Sequence, residues 1–330
     1  MERIKESRLG DEHIMSNTKK IAFVFPGQGS QYPGMGLDIY ENYTSAKEIF
    51  EKFDEISGKN ISKLCFSGSD EDLKQTVNSQ PAILAVSIAL YELFTEKTQI
   101  TPDYVAGHSL GEYSALYAAG VVELDELIKL VLKRAELMNN APQGAMTAIL
   151  GLDEDKIDEL IEQCSSEGII CAANYNTQIQ TVISGEAKAI EKANELAKTM
   201  GAKRVIPLAV SGAFHSPLMK PISENFAKYI NNTNVNDSEI PVVTNVDAKP
   251  TIDKAEFSSK MLKQMYSSVY WKQSITYMVQ QGIDTFIEIG PGKVLSGMIK
   301  KIAPEVNVLN ICDKDSLENV IKEEFNKCLM

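Results

Sequence analysis

Ser109 stands in Gly107-His108-Ser109-Leu110-Gly111-Glu112, after a short β-type segment, Tyr104-Val105-Ala106, and before a helical run, Tyr113 to Ala119, that stops at Gly120. A serine on a sharp strand-to-helix turn presents its hydroxyl above the sheet edge. The glycines two residues to either side leave room for a strained backbone and for close helix–strand approach. The helix that follows offers unpaired N–H groups at its start, where an oxyanion would form. The pattern points to covalent acyl transfer through Ser109. A plain glycine-bounded turn is the alternative, and the strand-turn-helix setting argues against it.

Such a serine needs a base, and the chain has only three histidines, His13, His108 and His215. His108 adjoins Ser109, and neighbours on an elbow point apart, so it reads as structural. His215, in Ser211-Gly212-Ala213-Phe214-His215-Ser216-Pro217, lies on a loop before a Pro-started helix. Its alternatives are a packing residue and the general base, and the base is the better fit to a chain with a nucleophile. On the helix around Arg134, Leu124, Leu127, Ile128, Val131, Ala135 and Met138 share one face, and Arg134 falls at its margin. It either snorkels or pairs with a structural carboxylate, or it clamps a substrate carboxylate with its planar fork.

Three glycine-bearing loops fail the tests for phosphate binding. Gly27-Gln28-Gly29 has Tyr32 where a dinucleotide fingerprint needs its third glycine, and Gly29 to Gly34 is followed by Met35 rather than lysine. Gly290-Pro291-Gly292-Lys293 lacks the upstream glycine and a following Ser or Thr. Tight strand-to-helix turns are the reading.

The elements that must position these groups alternate strand and helix. Ile21 to Phe25 is a continuous apolar run, as in a buried parallel strand, and feeds Pro26-Gly27-Gln28-Gly29-Ser30-Gln31. Helical patterns follow through Phe53, from Gln80 to Phe94 and from about Leu124 to Met138. The middle reads β-α-β-β-α-β: strand Thr147–Leu152, helix Glu154–Cys164, strands Ile169–Asn174 and Gln180–Ser184, helix Glu186–Met200, strand Arg204–Val210. That is the order of a ferredoxin-like unit. Strands at Pro241–Asn245, Thr285–Ile289 and Val306–Ile311 resume the first pattern. The expected fold is α/β, an α/β-hydrolase-like parallel-sheet core of residues 19–142 and 209–330 with a ferredoxin-like small domain inserted at 143–208. Residues 1–18 read as a disordered tail.

Composition narrows the classes. The 330 residues carry a net charge of −12, which argues against nucleic acid and anionic membrane as partners. The longest apolar stretch, Ala82 to Leu90, is short for a membrane span and reads as a buried helix. The polar first twenty residues lack a secretory signal, and Met15 is an alternative start. Five cysteines without C-x-x-C spacing imply neither a disulfide framework nor a zinc site and fit a reducing cytoplasm. A monomer without cofactor or metal is expected.

Phe25-Pro26-Gly27-Gln28-Gly29-Ser30-Gln31, Gly107 to Glu112, Ala213-Phe214-His215-Ser216-Pro217 and Gly290-Pro291-Gly292-Lys293-Val294-Leu295 resemble, in order, the motifs of the malonyl-CoA:acyl carrier protein transacylases of bacterial fatty-acid synthesis. The resemblance runs from about Lys20 to about Asp313. It implies an acyltransferase, a [acyl-carrier-protein] S-malonyltransferase, moving malonyl from malonyl-CoA to the phosphopantetheine thiol of acyl carrier protein by a ping-pong route through malonyl-Ser109. It further implies His215 as base, backbone N–H groups of Gln28 and Leu110 as oxyanion hole, and Arg134 as the carboxylate clamp. By the same resemblance the carbonyl of Gln264 holds His215, Gln264 belongs to the substrate-binding set, and Asn176 is a polar residue beside the cleft. Phe214 resembles the malonyl-selecting version of its loop. Carrier protein, being acidic, is expected to dock through Lys203, Arg204, Lys300 and Lys301. The alternatives are an α/β-hydrolase-type esterase or thioesterase, for which no motif for a triad acid is found between Ser109 and His215, and a malonyltransferase of a polyketide assembly line. An inactive carrier-binding scaffold is a third, yet Ser109, His215 and Arg134 are all present.

Overall fold

The computed structural model describes residues 19–210 and 212–325, so the tail at 1–18 with His13 and Met15, and also Cys328, lie outside the described residues. The strands are β1 (Ile21–Phe25), β2 (Tyr104–Gly107), β3 (Ala145–Leu150), β4 (Ile170–Thr177), β5 (Gln180–Gly185), β6 (Arg204–Pro207), β7 (Val242–Val243), β8 (Pro250–Thr251), β9 (Thr285–Ile289) and β10 (Asn307–Ile311). Six of them form one sheet in the order β10-β9-β1-β2-β7-β8. It is parallel from β10 to β7, and β8 runs antiparallel to β7.

The sequence of β1 shows why this sheet is covered on both faces. Successive side chains alternate sides. Phe23 and Phe25 enter one apolar cluster, while Ala22 and Val24 enter another with Trp271, Ile275 and Leu295. Phe23 meets Phe94 edge to face at 5.6 Å, which anchors the helix Thr76–Thr98 on the first side. That helix is 23 residues long, and every residue from Ser79 to Leu90 is buried. The helix is long and apolar enough to cross a membrane by length and composition alone, and it extends beyond the apolar run Ala82 to Leu90 at both ends. Its all-round apolar surface is satisfied instead by packing inside the core.

Strands β3 to β6 make a second, antiparallel sheet in the order β4-β5-β3-β6. With the helices Glu154–Cys164 and Ala187–Thr199 it forms a ferredoxin-like unit with its own core of Ile149, Ile157, Leu160, Ile183, Ile190 and Ala193. The fold is therefore an α/β-hydrolase-like sheet with an inserted ferredoxin-like domain. Two strands differ from expectation in ways that matter for the site. β6 ends at Pro207 with one further bond to β3, Leu208 N–H donating to Met146 O at 2.9 Å, and Leu208 and Val210 then line a cleft. β7 is two residues long because Thr244 and Asn245 leave the ladder. The Thr244 N–H donates to Lys249 O, and that of Asn245 donates to the Glu112 carboxyl group at 2.5 Å.

The units are joined by backbone hydrogen bonds as well as by the chain. Tyr175 N–H donates to Val269 O at 3.0 Å, and Val269 N–H donates to Ala173 O at 2.8 Å. This ties β4 to the segment that follows the helix Lys254–Gln264.

Candidate active site

The elbow forms as its sequence requires. Ser109 adopts φ 51°, a left-handed conformation unusual for serine. A Cβ on Gly107 would collide with the backbone of Gly111, and one on Gly111 would collide with Phe25 O. Both glycines are thus demanded by close approach of the helix Gly111–Ala118 to β2 and β1. Asn245 holds the turn in place from outside. Its Oδ1 accepts from Ser109 N–H at 2.8 Å, and its Nδ2 donates to Gly107 O at 2.6 Å.

His215 Nε2 lies 2.8 Å from Ser109 Oγ, and its Nδ1 lies 2.8 Å from Gln264 O. The carbonyl can only accept, so Nδ1 carries the proton and Nε2 is free to accept from the serine hydroxyl. Burial, and then the charge of Arg134, push the His215 pKa down to about 3. The imidazole is neutral in this setting, the form in which it can take a proton.

Arg134 is 1% exposed and makes no ion pair among the described residues. The snorkelling and structural-pair readings of this residue therefore do not hold. Its Nη1 donates to Gln80 Oε1 at 2.7 Å, and its Nη2 faces Gln264 Oε1 at 3.1 Å and Ser109 Oγ at 3.2 Å. Nε has no acceptor among the described residues. The guanidinium lies over the Tyr113 ring at 5.1 Å, and burial lowers its pKa. A buried cation without an anion is costly, and this one faces a cleft.

The cleft holds about 110 Å³ and is lined by Gln28, Ser109, Leu110, Arg134 and His215 on its polar side. Met138, Met146, Leu208, Val210 and Phe214 form the apolar side. The backbone N–H groups of Gln28 and Leu110 make no hydrogen bond among the described residues. Around Gln28 the loop closes on itself, with Ser30 Oγ donating to Gly27 O and Gly29 N–H donating to Gln31 Oε1. At the third glycine loop, the start of the helix Val294–Ile302 is filled by the chain's own anion. Glu288 accepts from the N–H groups of Leu295 and Ser296 at 3.0 and 2.8 Å, which is where a phosphate would otherwise bind.

Asn176 lies beside the cleft without lining it: its Oδ1 accepts from Nε2 of cleft-lining His108 at 2.8 Å, and Asn174, two residues earlier on β4, is on the cleft wall itself. Bulges in the β4–β5 pairing on either side of Asn174 set which asparagine faces where. Gln264 lies beneath the cleft rather than on its wall. Its side chain bridges Arg134 and Ser109 O, the latter at 2.8 Å, while its carbonyl holds His215. His108 is half-buried and also lines the cleft, its ring edge-on to Trp271 at 5.6 Å. Desolvation lowers its pKa. Sequence patterns do not single out Asn245 or Gln80. The one signal for Gln80 is a polar residue opening the apolar stretch Pro81 to Leu90, and Asn245 offers none.

A serine, a neutral imidazole held by a carbonyl, and unpaired N–H groups beside them on an α/β-hydrolase-like sheet define an acyl-transfer fold and site. The family model described as acyl transferase domain matches residues 22–323. The malonyl CoA-acyl carrier protein transacylase of Bacillus subtilis (strain 168) is 46% identical over 312 residues, covering 92% of this chain and 98% of that protein. An acyl carrier protein S-malonyltransferase of Vibrio cholerae superposes with a TM-score of 0.88 at 40% identity, covering 92% of this chain and 100% of that one. A malonyl-transacylase solved with a type II PKS acyl-carrier protein superposes with a TM-score of 0.90 at 36% identity, covering 93% of this chain and 100% of that one. The chain belongs to the acyl transferase family, among the malonyl CoA-acyl carrier protein transacylases. It is an enzyme of the acyltransferase class.

Proposed function

We propose that this protein moves a malonyl group from malonyl-CoA to the phosphopantetheine thiol of acyl carrier protein by a ping-pong route through malonyl-Ser109, in fatty-acid synthesis. The observation that carries the reading is a buried guanidinium, Arg134, without an ion pair among the described residues, 3.2 Å from a serine hydroxyl that is itself 2.8 Å from a neutral imidazole. An acyl donor with a free carboxylate matches that arrangement of charge.

In the first half-reaction Ser109 Oγ attacks the thioester carbonyl as His215 Nε2 takes its proton. The oxyanion lies against the N–H groups of Gln28 and Leu110, which have no other acceptor among the described residues. The C–S bond breaks, and His215 gives that proton to the departing sulfur, so coenzyme A leaves as the thiol and the imidazole is neutral again. The carrier thiol, deprotonated by His215, then attacks malonyl-Ser109, and the serine oxygen recovers its proton as the new thioester forms. Arg134 holds the terminal carboxylate throughout and fixes the acyl chain in the cleft. The apolar wall of Met138, Met146, Leu208, Val210 and Phe214 supports exclusion of water from the acyl-enzyme. No cofactor takes part in these steps.

The inserted unit at 143–208, between core segments 19–142 and 209–330, forms one side of the cleft in this reading. Carrier protein docks, in the same reading, on Lys203, Arg204, Lys300 and Lys301. All four are exposed and without an ion pair among the described residues. A relay of hydrogen bonds supports their proximity: Lys203 N–H to Leu150 O, Gly151 N–H to Ile179 O, and Gln178 Nε2 to Ile302 O. This end of the small sheet lies roughly 13 Å along β3 from cleft-lining Met146, a distance for a long prosthetic arm to cross. A cytoplasmic setting is supported by Cys65, Cys164, Cys171 and Cys312, all free thiols.

The test is the intact mass of the protein after incubation with malonyl-CoA. A malonyl adduct on Ser109 is expected, absent in Ser109→Ala and much slower to form in His215→Ala. Full acylation of Ser109→Ala would remove the nucleophile from this account.

A further inference from the structure

Arg134 is bracketed by two glutamines. Gln80 is 1% exposed on the helix Thr76–Thr98, and its Oε1 accepts from Arg134 Nη1 at 2.7 Å. Its own Nε2 lies 3.3 Å from Met138 Sδ, so the amide is held with its oxygen toward the arginine. Gln264 supplies the second amide oxygen at 3.1 Å. A carboxylate in place of either amide would make the same hydrogen bond and also cancel the charge. The nearby acid, Glu112, is directed elsewhere, accepting from Asn245 N–H, and burial raises its pKa to about 8. Tyr113, beneath the guanidinium, is likewise pushed up to about 12 by burial and stays neutral.

We propose that Gln80 is a specificity-positioning residue, a neutral acceptor that orients the Arg134 fork while leaving its positive charge free for the carboxylate of the acyl donor. The inference rests on the reading of Arg134 as the carboxylate clamp. Gln80 does not line the cleft, so it acts through Arg134 and not on the substrate. Its amide anchors Nη1, and that leaves Nη2 directed at the cleft beside Ser109 Oγ. An amide oxygen carries only a partial charge, so the guanidinium stays an unneutralised cation in a buried site. There an incoming anion is rewarded far more than in water. In Gln80→Glu the change is nearly isosteric and the charge alone differs. The introduced carboxylate would form a buried ion pair with Arg134, and an incoming malonyl carboxylate would then meet a neutral pair.

The experiment compares acylation rates with malonyl-CoA and acetyl-CoA, read by intact mass, in the wild-type protein, Gln80→Glu, Gln80→Met and Arg134→Ala. Gln80→Glu is expected to lower the malonyl-to-acetyl ratio of kcat/KM on the order of a hundredfold, the size of effect seen when a charge pair is lost from a desolvated contact. Acetyl transfer is retained. Gln80→Met keeps the charge but frees the fork, so KM for malonyl-CoA rises while the acetyl values hold. If Arg134→Ala collapses the ratio and Gln80→Glu leaves it unchanged, the inference is overturned and the clamp stands. If Arg134→Ala lowers both substrates equally, the clamp itself fails. Should circular dichroism show Gln80→Glu unfolded, Gln80→Met decides, and an unchanged KM for malonyl-CoA overturns the inference.

Discussion

Asn245 is the residue on which the elbow's geometry depends most, and removing it has a cost that follows from the structure. It is 1% exposed and bonds both sides of the turn, the N–H of Ser109 and the carbonyl of Gly107. In Asn245→Ala both backbone groups lose these partners. Each buried polar group left unpaired costs about 1–3 kcal/mol, so the pair implies about 2–6 kcal/mol of lost stability. Ser109 has another way out. Its left-handed backbone carries a strain of roughly 1–2 kcal/mol, and relaxing to a right-handed conformation would recover that energy and rehydrate the N–H. The hydroxyl would then leave His215 Nε2, and a displacement of about 1 Å costs roughly a hundredfold in rate. The two losses therefore trade against each other, and both must be measured. Denaturant midpoints give the first, and single-turnover acylation by malonyl-CoA gives the second. Asn245→Asp, which keeps the acceptor for Ser109 but loses the donor to Gly107, should fall between. An Asn245→Ala protein with an unchanged midpoint and an acylation rate within about twofold of wild type would refute the reasoning.

Two further outcomes follow from charge. A pKa near 3 keeps His215 unprotonated until pH falls far below the ordinary imidazole range, so the acylation rate should change by less than about twofold between pH 7.5 and 5.5. An unperturbed imidazole near 6.5 would lose roughly tenfold over that span, and a pH-rate profile showing that loss would contradict the buried, carbonyl-held arrangement. Reversing Lys203, Arg204, Lys300 and Lys301 together to glutamate should raise KM for carrier protein by about tenfold or more, and more so at low salt. The KM for malonyl-CoA should hold in the same variant, and equal effects on both substrates would dismiss the patch.

The elements legible in the sequence are those whose signal is local. Glu154–Cys164 and Thr285–Ile289 have the bounds their patterns indicate, because a helical or strand period is written in neighbouring residues. The Ser109 elbow is legible for the same reason, its two glycines lying within two positions of the serine. Arg134 is visible only as a misfit on a helical wheel, at the margin of an apolar face, and three readings of it are open there. Burial without a carboxylate in the fold removes two of them.

What the chain order does not supply is the company these residues keep. Asn245 meets Ser109 across 136 positions, Gln80 meets Arg134 across 54, and Gln264 O meets His215 across 49. No period or spacing links such pairs. His215 gains its tautomer from that carbonyl, and its low pKa from burial and then from the charge of Arg134. Asn174 and Asn176 differ by two positions and would be interchangeable on a regular strand. A pair of bulges in β4 puts Asn174 on the cleft wall and sets Asn176 against His108, which is itself on that wall. The Ser109 elbow was thus determined by local sequence, since a strand-turn-helix needs only its own residues to form. The neutral imidazole beside it, the guanidinium without an ion pair among the described residues and the strained backbone were decided by tertiary packing, because each depends on excluding water and on partners brought from distant segments.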